Sequence, residues 1–480
     1  MEKQFEKKEI TKKSEDFSQW YVDVVLRAGL ADYAPVKGCM VIRPYGYAIW
    51  ENIQKALDEK IKKTGAQNAY FPLFIPERLL KKEKEHVKGF SPELAVVTIG
   101  GGEELQEKLV IRPTSETIMY EMFSKWIQSW RDLPLMINQW CNIVRWEKRT
   151  RLFLRTTEFL WQEGHTCHAS HEEALEEVMA ILEIYQNLYR EFFAIDGIVG
   201  KKSEAEKFAG AHATYSYEML MPDGRALQGC TSHDLGQNFA QVFNIKFLDK
   251  EGKAKMVWQT SWGLSTRSIG ALIMAHGDDQ GLIVPPQLAP IQIVVVPIIQ
   301  QKAVNKNLET KLMKIKETLK DFRIEIDKRP EYSVGWKFNE WELKGVPLRI
   351  EIGKKEIAVN KATLVRRDNG KHFSVSFKNL AKEVQKTLND IQKNLLLKNS
   401  KSLKENTREA TDYQEFKKIM ANQKGFIKAF WCGHPQCEEK IKEETMATAR
   451  VLVVGTEGKE GKCIYCGKPS RGKWIFAQAY

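Results

Sequence analysis

The stretch from Asn138 to His165, NQWCNIVRWEKRTRLFLRTTEFLWQEGH, restricts the fold more than any other part of the chain. Two apolar, β-prone runs, Trp140 to Trp146 and Leu152 to Trp161, flank a short basic turn, Glu147 to Arg151. Aromatic and β-branched residues bounded by a polar turn predict an antiparallel hairpin. The hairpin also carries Arg145, Glu147, Arg155, Glu158, Glu163 and His165. Charges in an apolar frame need partners, so the pattern fits a solvated polar face or a ligand site. Arg145 and Glu147 sit two apart on a strand and therefore face the same side of the sheet.

Composition narrows the class. A chain of 480 residues is long enough for two or three domains with cores of their own. Its net charge of +12 favours a polyanionic partner. No apolar run approaches the roughly 20 residues of a membrane span. The N-terminus, MEKQFEKKEITKKSEDF, lacks the apolar core of a secretory signal, so a cytoplasmic location is expected. The eight cysteines of such a chain are expected to be reduced or metal-bound rather than disulfide-paired. There is no internal repeat.

An Arg, one residue, a Glu, a basic loop, an Arg and then Glu-Phe resembles motif 2 of the class II aminoacyl-tRNA synthetases. The resemblance implies that Arg145 grips the α-phosphate of ATP and stabilises the charge that develops when a carboxylate attacks it. Glu147 would accept from the adenine amino group and Phe159 would stack on the base, with Arg155 and Thr156 completing that part of the nucleotide site.

Other stretches extend the likeness. A helical period over Gly46 to Thr64 and a strand over Ala69 to Phe74, broken by Pro72, resemble motif 1, the dimer interface of that family. Arg112-Pro113-Thr114-Ser115-Glu116 reads as a strand end turning into a helix that Thr114 or Ser115 can cap. The same string closely resembles the amino-acid-binding loop of prolyl-tRNA synthetases, in which Thr114 and Glu116 receive the secondary ammonium of proline. The hairpin exit matches that family too: Trp161 would wall the pyrrolidine ring, and Glu163 and His165 would line the pocket. A helix is expected from Ser170 to Phe193 and an alternating strand from Thr214 to Met221. In RALQGCTSHDLGQNF, small residues let a ligand approach the backbone. By resemblance Gln228 and Thr231 contact ATP and His233 the amino acid. Glu218 is a candidate ligand for the Mg²⁺ that accompanies ATP. SWGLSTRSIGALIMAHGD, from Ser261 to Asp278, resembles motif 3, a strand, an arginine and an apolar helix. Arg267 would hold the γ-phosphate, with Ser265 beside it, and Ser261 and Gly263 would border the proline.

Pro285-Pro286 and Pro290 mark a domain break. Ile291 to Ile299 reads as a central parallel strand. Helices follow at Lys306 to Phe322, Gly335 to Lys344 and Leu380 to Leu397, with short strands at Leu348 to Ile352, Glu356 to Val359, Ala362 to Arg366 and Phe373 to Phe377. The pattern resembles the anticodon-binding domain of class IIa synthetases, which implies that Glu342, Arg349, Lys355 and Lys371 read anticodon guanines. Lys398 to Arg408 is a polar linker. Cys432 and Cys437, then Cys463 and Cys466, form two close pairs that suit a structural, tetrahedral Zn²⁺. The apolar end, Trp474 to Tyr480, resembles the archaeal and eukaryote-like prolyl-tRNA synthetases, whose terminal tyrosine tucks its carboxylate back towards the active site.

The expected fold is α/β of the α+β kind: an antiparallel-sheet catalytic domain over 1–285, an anticodon-binding domain over 286–397, a linker over 398–408 and a zinc-binding domain over 409–480. The expected partners are L-proline, ATP with Mg²⁺, tRNA for proline and a second copy of the chain. Only about a hundred residues separate Phe159 from Ser261, too few for the editing domain that the bacterial type inserts there. Two other readings are weaker. A threonine enzyme would carry a cysteine near Arg112-Pro113-Thr114, and a catalytically inactive, RNA-binding paralogue would have lost Arg145, Glu147 or Arg267.

Overall fold

The computed structural model describes residues 9–86, 94–298, 306–456 and 458–480. The first residues of the charged lead and Ile299 lie outside them. An eleven-stranded sheet dominates. Its centre is antiparallel and runs, in spatial order, Gly197–Lys201, Ala213–Leu220, Ala226–Gly236, Trp258–Ser265, Glu158–His168 and Leu135–Val144. These strands hold one register. One row reads Ile137, His165, Ser261, His233 and Thr214, and the neighbouring row reads Gln139, Glu163, Gly263, Thr231 and Ser216. Because side chains alternate along a strand, the two rows present functional groups as an ordered grid.

Helices Phe17–Arg27, Pro44–Lys62, His171–Glu191 and Arg267–His276 cover one side of this sheet. Their apolar stripes, including Trp20, Trp50, Ile53, Leu57, Ile181, Tyr185 and Leu272, merge into the largest core. The residues between the motif 2 hairpin and the motif 3 strand, 169–257, belong to this sheet, its covering helices and a short hairpin.

A second sheet has the order Ile324–Ile326, Ile293–Pro297, Leu348–Ile352, Lys361–Arg366, His372–Ser376. Ile293–Pro297 is parallel to both neighbours and wholly buried, as its unbroken apolar run requires. The last part of the chain continues the main sheet and adds a small two-stranded one, Glu460–Lys462 with Pro469–Arg471. Thr448–Val453 pairs with Gly197–Lys201, and Lys473–Ala477, Phe426–Phe430 and Thr407–Glu409 follow outward.

Several expectations need correction. The hairpin joins Val144 to Glu158, so its connection is far longer than the basic turn. Leu152, Phe153 and Leu154 are not strand: they form a buried tip, with Phe153 at φ 60° and Tyr21 donating to the Leu152 carbonyl at 2.8 Å. Their apolarity reflects docking of a loop, not pairing. Ala69 to Phe74 is not one strand: the strand Gln67–Asn68 ends before it and Phe74–Pro76 begins at its last residue, with Pro72, which has no N–H for a ladder, in the gap. Glu356 to Val359 is not a strand but the end of a short helix, Lys354–Ala358, with Val359 as its C-cap and Glu356 accepting from the Gly353 amide at 2.9 Å. The polar run from Lys398 is helical: Leu380–Glu405 is one helix, whose apolar face continues to Leu395.

Candidate active site

The grid of side chains forms the floor of a cavity of about 270 Å³. Arg145, beyond the end of Leu135–Val144, is held there by donation from Nε to the Pro113 carbonyl at 3.0 Å. Its guanidinium lies 5.7 Å from the Phe159 ring centre and 5.6 Å from that of Trp161. Arg267, the first residue of its helix, donates from Nε to the Leu154 carbonyl at 3.1 Å. The buried hairpin tip therefore aims the second arginine. Burial, then the facing Arg145 and Arg155, push Arg267 below the usual arginine range. A wall where cations repel one another is stable only against an anion.

The opposite end of the cavity is built on the hairpin exit. Burial opposes charge on Glu163, but hydrogen bonds from His165 and Ser115 outweigh it and hold the carboxyl below its usual range. Oε2 lies 3.3 Å from His165 Nε2, and Gln139 donates to Oε1 at 2.9 Å. Burial likewise opposes charge on His165, and Glu163 and Glu116 overcome it, so the imidazole is raised above its ordinary range. His233, two strands further on, is the reverse case: burial and the nearby His165 lower it to about 3, leaving it neutral. Its Nδ1 lies 2.9 Å from Thr214 Oγ1. Thr114 donates to Glu116, and the Ser115 hydroxyl reaches Glu163 rather than capping the helix Glu116–Trp126. The Ser261 hydroxyl is buried without a hydrogen-bond partner among the described residues.

The cavity thus brings together Thr114, Glu116, Arg145, Phe159, Trp161, Glu163 and His165 with Gln228, Thr231, His233, Ser261, Gly263, Ser265 and Arg267. It does not include Glu147, Arg155 or Thr156. Glu147 and Arg155 pair with each other at 3.0 Å outside the lining, and Thr156 spends its hydroxyl on the Glu158 carbonyl at 2.7 Å. Glu218 is also excluded from a metal role. It is fully buried among Lys202 at 2.8 Å, Arg450 at 3.0 Å and Ser216 at 2.9 Å. The lining adds Glu206 and Phe208, from an irregular loop with no periodic signature. Phe208 lies 4.8 Å from His233 between ring centres, a contact no spacing rule announces.

Two further predicted clusters separate. Arg349 is paired with Glu342 at 2.8 Å and Glu351 at 3.0 Å, and both Glu342 and Arg349 line a second cavity of about 320 Å³. Lys355 and Lys371 are exposed and stand outside that lining. The four cysteine sulfurs, by contrast, all lie within 4.8 Å of one another, with Cys432 at 3.8 Å from both Cys437 and Cys466. Tetrahedral zinc–thiolate bonds of about 2.3 Å require sulfurs about 3.8 Å apart, so the donor set fits the ion. Tyr480 lies on the catalytic strands: its hydroxyl donates to Asp223 at 2.7 Å and its amide to the Ala226 carbonyl at 3.2 Å.

Three family models match successive parts of the chain. Residues 97–276 match the tRNA synthetase class II core domain (G, H, P, S and T), 292–387 the anticodon binding domain, and 413–480 the prolyl-tRNA synthetase C-terminal domain. A proline-tRNA ligase of Natranaerobius thermophilus is 54% identical over 98% of both chains. One from Alkaliphilus oremlandii is 52% identical over 100% of this chain and 99% of its own. The prolyl-tRNA synthetase of Cryptosporidium parvum, crystallised with halofuginone and AMPPNP, superposes with a TM-score of 0.94 at 42% identity, covering 98% of this chain and 99% of that one. Its complex with L-proline and AMP also gives 0.94, at 40% identity, covering 98% and 97%.

Proposed function

The chain belongs to the proline-tRNA ligase family of class II aminoacyl-tRNA synthetases, and from that premise we propose how its site divides the labour. It activates L-proline with ATP to prolyl-adenylate, releasing pyrophosphate, and transfers the prolyl group to the 3′ end of tRNA. The observation that carries this reading is the surplus of guanidinium charge around one end of a cavity whose other end is lined by buried carboxylates. The first end suits a triphosphate, the second an ammonium.

Thr114 and Glu116 receive the secondary ammonium, Trp161 and Phe208 flank the pyrrolidine ring, and the Glu163–His165 pair with neutral His233 closes the far wall. Arg145 holds the α-phosphate where the proline carboxylate attacks, and Arg267 holds the γ-phosphate of a bent triphosphate. Attack is in line, and no side chain serves as a nucleophile. The residues orient the reactants and offset the charge on the phosphorus as it develops. Glu147 and Arg155, now paired, separate to meet the adenine and the phosphates. Mg²⁺ enters with ATP.

Residues 1–285, 286–397 and 409–480 are read as the catalytic, anticodon-binding and zinc-binding units. Glu342 and Arg349 are read as base-edge partners, and Lys355 and Lys371 as contacts to the anticodon backbone and flanking bases. Zinc on Cys432, Cys437, Cys463 and Cys466 is structural, holding the loops around Trp431 and Ile464. A homodimer is supported by Tyr70, Phe74 and Tyr47, large side chains left 72%, 47% and 41% exposed beside motif 1. The cytoplasm is the expected place of work because tRNA is the substrate.

Pyrophosphate–ATP exchange across the amino acids tests the assignment. Proline alone should support fast exchange. Equal exchange with threonine or serine would overturn it.

A further inference from the structure

On the reverse of the strand that carries His233, three side chains converge outside the cavity. His171 Nε2 lies 2.8 Å and His212 Nδ1 3.2 Å from the same oxygen, Asp234 Oδ2. The three ligating atoms all lie within 4.8 Å of one another. Asp234 Oδ1 accepts from the Gly236 amide at 2.9 Å, which fixes the carboxylate and leaves Oδ2 turned to the two rings. His171 is stacked on Trp258 at 4.5 Å between ring centres, an orientation set by packing. His212 is 65% exposed, and its ring centre lies 5.8 Å from that of His171.

We propose that His171, His212 and Asp234 bind a divalent transition-metal ion such as Zn²⁺. Two imidazoles and one carboxylate on one face of an ion, with the other positions open to solvent, is a recognised donor set for such metals. Metal–ligand bonds of about 2.1 Å put adjacent donors about 3.0 Å apart at right angles and about 3.4 Å apart at tetrahedral angles, near the two separations here. The Gly236 amide and Trp258 supply the outer contacts that orient a metal's ligands. The site is separate from the four thiolates, which lie in the C-terminal unit.

Its position gives it a consequence. His212 ends the loop that carries Glu206 and Phe208 into the cavity, and Asp234 is the neighbour of His233. His171 begins the long covering helix His171–Glu191. One ion would bind the loop, the strand and the helix together and hold Phe208 against His233. This consequence, unlike the site, rests on the reading of that cavity as the proline pocket.

The test uses the full chain, stripped with a chelator and titrated with Zn²⁺ or Co²⁺. The parent should take up about two equivalents, and His212→Ala and Asp234→Asn about one. With Co²⁺ the thiolate site gives an intense sulfur-to-metal charge-transfer band, and the second equivalent adds only weak absorption. Uptake of a single equivalent by the parent, all in the thiolate band, overturns the site, as does retention of both equivalents in His212→Ala. For the consequence, filling the second site should lower the KM for proline about fivefold in the parent and not in His212→Ala. Filling without any change in KM overturns that part. Metal uptake needs no activity, so failure of the proline assignment would leave the stoichiometry unaffected.

Discussion

The nucleotide end of the cavity and the junction around Glu218 are both buried and both highly charged, yet they are opposites. At the junction, Glu218 faces Lys202 and Arg450, and Arg450 also reaches Glu206 at 3.9 Å. Burial would push the Glu218 carboxyl up, but Arg450 and Lys202 outweigh it and hold it at about 2. Cations and anions there are matched within the protein. At the cavity, Arg267 faces Arg145 and, just outside the lining, Arg155, whose own partner is Glu147, and Arg267 itself has no ion pair among the described residues. Matched charge is scaffold; unmatched charge is a place for a ligand.

Breaking the matched cluster should cost the most. Arg450→Ala leaves Glu218 buried beside one cation and should lower unfolding free energy by about 3–5 kcal/mol, read by urea unfolding. A loss within experimental error would mean the junction is wet and weak. Arg267→Ala should do the reverse: proline-dependent exchange falls about 100- to 1000-fold while the melting temperature holds or rises, because a repelling cation has gone. Loss of fold together with activity would erase the distinction.

A buried group kept neutral sharpens it further. His276 is lowered from 6.5 to about 4 by burial, against a hydrogen bond to the Phe193 carbonyl. The unfolded chain therefore binds a proton that the native state refuses. Its contribution is whole above pH 6.5 and falls as pH drops towards 4, by up to about 1.4 kcal/mol per pH unit. Urea unfolding across that range should show the slope, and His276→Gln should flatten it. The smallest effect is expected at the tail. Removing Ala479 and Tyr480 deletes the bond to Asp223 and a half-buried ring, for about 1 kcal/mol of stability and a several-fold rise in the KM for proline, with zinc content unchanged. Full exchange activity in the truncated chain would make the tail an ornament.

These contrasts also explain what could be read from the chain. Trp161, Glu163 and His165 were legible because strand alternation fixes them on one face, and the same holds for the row through Ser261 and His233. Leu152 to Leu154 misled, because an apolar triplet looks the same in a strand and in a docked loop. Glu218 misled for a different reason: its partner Arg450 lies 232 residues away, beyond any local pattern. Glu206 and Phe208 were missed because an irregular loop has no period. The split of the Lys355 and Lys371 lysines from Glu342 and Arg349 is likewise a matter of tertiary placement.

The shared sheet has a bearing on how the chain is made. Val453 pairs with Gly200, and Ala479 lies beside Ala226, so these early strands border on residues made much later. During synthesis the edge at Gly197–Lys201 stands open while more than half of the polypeptide is still unmade. Such an edge is a template for pairing with other chains. Synthesis of Thr448–Val453, and not completion of the first domain, is what allows that edge to be closed.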